Sequence, residues 1–165
     1  MIVISNTSPL RYLIAIKRAD LVSNIFNHVV IPRGVHAELT HSSSPEIVRT
    51  WMAHAPNWLE TRELGRSPEA QFVRVLDQGE AEAIQLAVDL NADYLLIDER
   101  RGRQIATARG IPVIGTLGIL IESYRRRHIE NPSDVLTELR AARFRISSRL
   151  AREFEEQIRL VKFRE

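Results

Sequence analysis

The chain has 165 residues, of which 44% are hydrophobic, so it can bury one core but is too short for two full-sized domains. It contains no cysteine, which excludes disulfide bonds and thiolate metal sites and leaves oxygen or imidazole ligands for any metal ion. The net charge is only +2, but of 23 basic residues only Lys17 and Lys162 are lysines. Arginine suits phosphate recognition and interface ion pairs, and a solvated surface accounts for this composition equally well.

Strand-like runs alternate with longer amphipathic segments along the chain. The apolar runs IVIS, HVVIP, YLLID and IPVIG predict short strands that are buried on both faces. The remaining segments predict helices at about 8–18, 32–41, 45–54, 68–77, 79–91, 99–109 and 116–127. This alternation is typical of an α/β fold in which helices cover a central parallel sheet.

The end of the sequence predicts a helical hairpin or tail. Pro132 marks a break, after which Ser133 or Asp134 can cap the next helix. In the last helix, Leu150, Phe154 and Ile158 form one apolar stripe, which predicts packing on the domain or on another subunit. We therefore divide the chain into a domain at 1–130 and a C-terminal helical extension at 131–165.

The sequence shows no sign of a membrane segment or a secretion signal. No stretch approaches the roughly 18 uninterrupted apolar residues of a membrane span. The first residues also lack a charged leader followed by a long apolar region. We expect a soluble, cytoplasmic protein that does not associate with membranes.

Polar side chains follow two of the predicted strands. Asn6 comes directly after IVIS, and Asp98 ends the run YLLID. Ligands of open α/β sheets bind beyond the carboxyl ends of the strands, so these two side chains converge if the strands are neighbours. Helix capping is the alternative, because Asn6, Ser8 and Asp98 are all good capping residues at strand-to-helix turns.

Glutamates also lie close to the apolar faces of predicted helices. In DQGEAEAIQLAVDL, Glu80 falls on the apolar stripe, whereas Glu82 falls on the polar face and is expected to be solvated. A buried carboxylate needs a partner, so Glu80 binds either a metal ion or the exposed amides of the first helical turn. Glu38, in IPRGVHAELT, lies at the edge of another stripe and can also be an exposed helix residue.

Metal-ion binding is one function that these positions could share. Two divalent ions roughly 3.5–4 Å apart can activate a water molecule and stabilise a leaving oxygen, which requires carboxylates from distant parts of the chain. Oxygen ligands favour Mg²⁺ or Mn²⁺. The histidines show no metal-binding spacing, and GTLGILI lacks the complete dinucleotide or P-loop pattern.

Five stretches together carry a resemblance to a known family: SNTSPL, IPRGVHAEL, LDQGEAEAIQLA, YLLIDERRGRQIA and IPVIGTLGIL. From Met1 to about Arg127 the chain resembles PIN domains, and more narrowly the prokaryotic branch related to VapC-type toxin ribonucleases. The resemblance implies a three-layer α/β/α fold with a central parallel sheet. The C-terminal helices match the family less distinctively.

The resemblance also implies a site and its partners. The implied ligands of Mg²⁺ or Mn²⁺ are Asn6, Glu38, Glu80 and Asp98, of which the last three are the implied catalytic acids. Ser8 and Arg103 would contact the substrate, and Glu99 would be an auxiliary acid. The implied partners are RNA, a cognate antitoxin protein and a second copy of the chain in a homodimer.

Asn6 departs from the family pattern, which usually has aspartate at this position. An asparagine can coordinate a metal through its carbonyl oxygen but adds no negative charge. We therefore expect a metal-dependent endoribonuclease, the toxin of a toxin–antitoxin pair, with weakened or lost activity. The alternative is a catalytically inactive PIN-like module that binds RNA or an antitoxin.

Overall fold

The computed structural model describes residues 1–163, which fold around a five-stranded parallel sheet. The strands are β1 (Val3–Ser5), β2 (Val29–Pro32), β3 (Leu59–Arg62), β4 (Tyr94–Leu96) and β5 (Val113–Ile114). Their order across the sheet is β3-β2-β1-β4-β5, and each neighbouring pair is parallel. The first strand of the chain therefore lies at the centre of the sheet.

Helices fill the connections between the strands and follow the last one. They are α1 (Thr7–Ala15), α2 (Asp20–Phe26), α3 (Arg33–Thr40), α4 (Glu46–Ala53), α5 (Ala70–Val75), α6 (Gln78–Asp89), α7 (Arg100–Ala108), α8 (Thr116–Arg125), α9 (Pro132–Ala141) and α10 (Ser148–Arg159). Every residue of β1 and β2 is buried. Since successive strand residues point to opposite faces, both faces of the sheet are covered. The predicted α/β fold with a central parallel sheet is confirmed.

Two elements, α2 and β3, are absent from the sequence-based prediction. β3 is the edge strand next to β2, and its sequence LETR is half-buried or exposed. It therefore lacks the continuous apolar run that identifies the central strands. The helix α2 has only seven residues and begins without a side-chain cap, so its start signal is weak.

The C-terminal helices pack on the rest of the molecule. Leu139 of α9 and Phe154 of α10 belong to the main hydrophobic core, and both helices contact α8. The cap of α9 is Asn131, whose side chain accepts hydrogen bonds from the backbone of Ser133 and Asp134, so the predicted cap was wrong. The domain boundary at 130 stays a prediction, and residues 164–165 of the proposed extension lie outside the described residues.

Within residues 1–163, we find no helix with the length and apolar character needed to cross a membrane.

Candidate functional site

Asn6 lies at the carboxyl end of the central strand. β1 and β4 pair side by side, and the Asn6 backbone N–H donates to the Leu96 carbonyl at 2.8 Å. The Asn6 side chain is buried, yet it does not cap α1, and its Oδ1 has no hydrogen-bond partner among the described residues. The capping interpretation of Asn6 is therefore wrong. A buried hydrogen-bond acceptor, Asn6 Oδ1, is left available at the carboxyl ends of the strands.

Asp98 follows the neighbouring strand β4 and is held by the next strand-to-helix connection. Its Oδ1 accepts from the Thr116 backbone N–H and its Oδ2 from the Thr116 hydroxyl, both at 2.7 Å. Burial raises the pKa of Asp98, and the Thr116 hydrogen bonds and the Arg103 charge act in the opposite direction. Asp98 thus binds the N-terminus of α8, not that of α7, which begins two residues after it.

Glu80 lies in the first turn of α6, where it forms a capping box with Asp77. The Glu80 backbone N–H donates to Asp77 Oδ1 at 2.8 Å, and the Asp77 N–H donates to Glu80 Oε2 at 3.4 Å. Glu80 is only 8% exposed, and its second oxygen, Oε1, has no partner among residues 1–163. Burial, together with the negative charges of Asp77 and Glu99, raises the pKa of Glu80 to about 7. The helix-start role is confirmed, and Oε1 remains free for a ligand.

Glu38 is positioned where α3 crosses α6. The Thr7 hydroxyl donates to Glu38 Oε2, which links the first turn of α1 to α3. On the other side, a Cβ built on Gly79 would lie only 2.3 Å from Glu38 Oε1. The absence of a side chain at Gly79 therefore leaves the space that the Glu38 carboxylate fills.

Glu82 shows that the polar face of α6 is not fully solvated. Its side chain is half-buried, its Oε2 is enclosed without a hydrogen-bond partner in the described chain, and a Cβ on Gly34 would lie 2.2 Å from that oxygen. The predicted solvation of Glu82 was wrong because α3 packs across this part of α6.

The other predicted site residues surround this edge in different ways. Glu99 is exposed before α7, and its charge acts on Glu80. Arg103 points inward, where its guanidinium donates to the Ile97 carbonyl at 2.9 Å and lies beside Asp98. Ser8 is half-buried in the first turn of α1. Of these three residues, Arg103 is the one that hydrogen-bonds to the segment following β4.

The predicted ligands do not form a compact cluster of acids. Within residues 1–163 there is no group of three or more His, Asp or Glu side chains placed to hold a metal ion. The donor chemistry nevertheless suits Mg²⁺ or Mn²⁺, because Asn6 Oδ1 and Glu80 Oε1 are buried oxygens without partners. Glu38 and Asp98 instead have hydroxyl donors, Thr7 and Thr116.

Three residues hold the acids in place: Thr7, Gly79 and Thr116. Sequence reasoning missed Gly79 and Thr116, and it gave Thr7 no role although Thr7 belongs to the SNTSPL motif. Thr116 comes directly after β5 and its N-cap Gly115, so the strand-end rule used for Asn6 would also have selected it. The contacts of Thr7 and Gly79 with Glu38 depend on how α1, α3 and α6 pack, and no local pattern signals them.

Comparison with known proteins agrees with this fold. No curated protein matches the chain. Among solved structures, a PilT N-terminus domain protein from the hyperthermophilic archaeon Sulfolobus solfataricus P2 is similar in fold, with a TM-score of 0.58 and 22% identity over 79% of this chain and 100% of that one. A family model described as PIN domain (DUF3368) matches residues 2–159. The chain therefore belongs to the PIN domain family.

Proposed function

We propose that the protein is a metal-dependent endoribonuclease whose activity is weakened by Asn6. PIN domains are generally nucleases. The observation that carries the proposal is two buried, unpartnered oxygens. Asn6 Oδ1 lies at the carboxyl end of β1, and Glu80 Oε1 lies against Gly102 in the first turn of α7, which follows β4. Buried polar atoms normally have a partner, so two such atoms near this edge favour a bound ligand.

The residues of the site have distinct roles in this proposal. Mg²⁺ or Mn²⁺ held by Asn6, Glu38, Glu80 and Asp98 would polarise water and offset the charge of the scissile phosphate. Thr7 and Thr116 orient Glu38 and Asp98 through hydroxyl hydrogen bonds. The neutral amide of Asn6 supplies an oxygen without a charge, which lowers the affinity for a divalent cation.

Raised pKa values make the same acids sensitive to a cation. With a pKa of about 7, Glu80 is partly protonated at neutral pH, and a nearby positive charge favours its ionised form. The pKa of Asp98 is also raised by burial. Metal binding at this edge should therefore release protons and strengthen as the pH rises.

We further propose that the protein acts in the cytoplasm as the toxin of a toxin–antitoxin pair, with RNA as substrate and a cognate antitoxin and a second copy of the chain as partners. The motifs SNTSPL, LDQGEAEAIQLA and YLLIDERRGRQIA support this narrower assignment through their similarity to VapC-type proteins. Ser8 and Glu99 lie in the connections that follow β1 and β4, next to this edge, where they would assist substrate binding and proton transfer.

The test is to restore the missing charge with Asn6→Asp. We expect tighter Mn²⁺ binding by calorimetry and faster cleavage of a mixed RNA pool, because a carboxylate adds Coulomb attraction to the same ligand position. Adding Glu80→Gln should abolish the cleavage. The matched control is Asn57→Asp, which adds the same charge at an exposed position before β3, at the opposite end of the sheet.

The second candidate is a non-catalytic module that binds RNA or an antitoxin. It is favoured by Asp98, both of whose carboxylate oxygens are already engaged by Thr116. If neither the unmodified protein nor Asn6→Asp binds Mn²⁺ or cleaves RNA, while RNA or antitoxin binding survives substitution of Glu38, Glu80 and Asp98, this candidate replaces the nuclease.

A further inference from the structure

A groove leads away from Asp98 between α7 and the beginning of α10. Its volume is about 820 Å³. Because Asp98 is one of its lining residues, the groove is continuous with the candidate site. The groove is thus placed to receive the part of a substrate that extends beyond the reacting bond.

One wall of the groove is a stripe along α7. Arg100, Arg103, Gln104 and Thr107 line it, at spacings of three, four and seven residues that place them on the same helical face. At about 1.5 Å per residue, this stripe extends roughly 10 Å along the helix. Arg103 is engaged by the Ile97 carbonyl, which leaves Arg100 as the exposed cation of this wall.

The opposite wall comes from the C-terminal part of the chain. Ser147, Arg149, Leu150 and Glu153 line this side. The Arg149 side chain is 82% exposed, although its Nε lies 2.9 Å from Glu153 Oε1. An exposed ion pair one helical turn apart contributes little free energy, so the Arg149 guanidinium can readily turn to a phosphate.

We propose that this groove binds the sugar–phosphate backbone of single-stranded RNA, with Arg100 and Arg149 contacting phosphates from opposite walls. The inference rests on the proposed function and adds a substrate-binding role for α10. The exposed arginines on both walls suit a flexible polyanion, and a basic groove that follows the backbone is typical of proteins that bind single strands.

The residues that line the groove also predict its preference among the RNA bases. Val113 and Leu150 supply apolar surface, and no aromatic side chain is among the described residues that line the groove. Binding should therefore follow the phosphate backbone with little base preference, because stacking platforms for bases are missing from its walls.

The experiment measures binding of a 5′-labelled single-stranded oligouridylate by fluorescence anisotropy in EDTA, which prevents metal-dependent cleavage. The test variant is Arg100→Gln with Arg149→Gln. We expect its Kd to rise at least fivefold. The slope of log K against log salt concentration should decrease by about 1.4, since each phosphate contact to a single strand contributes about 0.7.

The matched control is Arg140→Gln with Arg152→Gln, two exposed arginines of α9 and α10 that do not line the groove. Its Kd should stay within twofold of the unmodified protein. Equal losses in the test and control variants overturn the groove assignment, as does an unmodified protein that does not bind the oligonucleotide. The proposed nuclease function is judged separately, by cleavage in Mn²⁺ with and without Asn6→Asp.

Discussion

Asn6 and Glu80 each bury an oxygen that has no hydrogen-bond partner among the described residues. A buried acceptor without a hydrogen bond costs about 1–3 kcal/mol, so both positions reduce the stability of the free protein. Glu80 carries a second cost, since its carboxylate is close to the charges of Asp77 and Glu99. The unpartnered oxygens of these two side chains therefore lower the stability of the free protein and at the same time favour the binding of a ligand.

The raised pKa of Glu80 predicts how stability depends on pH. The folded protein holds this proton up to about pH 7, whereas the unfolded chain releases it near 4.5, so stability decreases as the pH rises between these values. Allowing for solvent screening, we expect unfolding in urea to require about 1–2 kcal/mol less at pH 8 than at pH 5.

The control for this pH effect is Glu80→Gln, whose amide can keep the capping box but does not titrate in this range. The difference in stability between the two proteins should therefore change with pH in the same window. Parallel pH profiles for the unmodified protein and Glu80→Gln would show that Glu80 is not the responsible group.

Much of the candidate site was predictable because it follows from strand ends and helix periodicity. Asn6 and Asp98 are identified by the carboxyl ends of β1 and β4, and Glu80 by its position on an apolar stripe. The hydroxyl donors Thr7 and Thr116 were not predicted, because each reaches an acid that is distant in sequence. Such contacts depend on helix packing, which local patterns do not specify.

At the scale of elements, the crossing of α3 and α6 is set by two glycines. Gly34 of α3 lies against Glu82 of α6, and Gly79 of α6 lies against Glu38 of α3. Each helix therefore has a glycine at the point where the other helix places a carboxylate. Glycine in a helix costs about 1 kcal/mol relative to alanine. The glycines therefore allow the crossing that positions Glu38, and they lower the intrinsic stability of the two helices.

This arrangement predicts that Gly79→Ala displaces the Glu38 carboxylate. In the Asn6→Asp background, RNA cleavage should fall about tenfold or more, since small misplacements of a catalytic group are costly. The free energy of unfolding should change by less than about 1 kcal/mol, because the gain in helix propensity offsets the lost Thr7 hydrogen bond.

The control is Gly65→Ala, because a Cβ there meets no atom within 4 Å. It should leave both cleavage and stability unchanged. Undiminished cleavage in Gly79→Ala would show that the position of Glu38 does not depend on this crossing.

The strands were predictable where their sequence is continuously apolar and not where it is polar. The buried runs that form β1, β2 and β4 stand out as apolar sequence. β3 does not, because Thr61 and Arg62 face solvent at the edge of the sheet. An edge strand forms because its backbone hydrogen-bonds to the unpaired backbone groups of the neighbouring strand. The side chains of the edge strand give no sign of this pairing.

At the scale of the whole molecule, the C-terminal helices share the core of the rest. Phe154 is 2% exposed, and Phe163 packs edge-on against Tyr124, with ring centroids 4.9 Å apart. The Arg127 guanidinium lies over the Phe163 ring, 4.9 Å from its centroid. These contacts attach the end of the described chain to α8 and the turn that follows it.

We therefore predict that Phe154→Ala lowers the free energy of unfolding by about 3 kcal/mol, with a single transition in urea, because it leaves a cavity in a shared core. Leu160→Ala, at a position that is 70% exposed, is the control and should change it by less than about 0.5 kcal/mol. Two separate transitions would instead mark 131–165 as an independently folding unit.

Because β1 lies between β2 and β4, its position in the sheet determines when the site can form during synthesis. β1 emerges from the ribosome first, but its neighbour β4 begins at Tyr94, and the Thr116 that holds Asp98 comes later still. At about 5–20 residues per second, one edge of β1 stays unpaired for several seconds, and such distant pairing slows folding. A nascent chain that ends before Tyr94 carries Asn6 and Glu38 without β4 and Asp98, so the proposed metal site cannot be complete until β4 has been made.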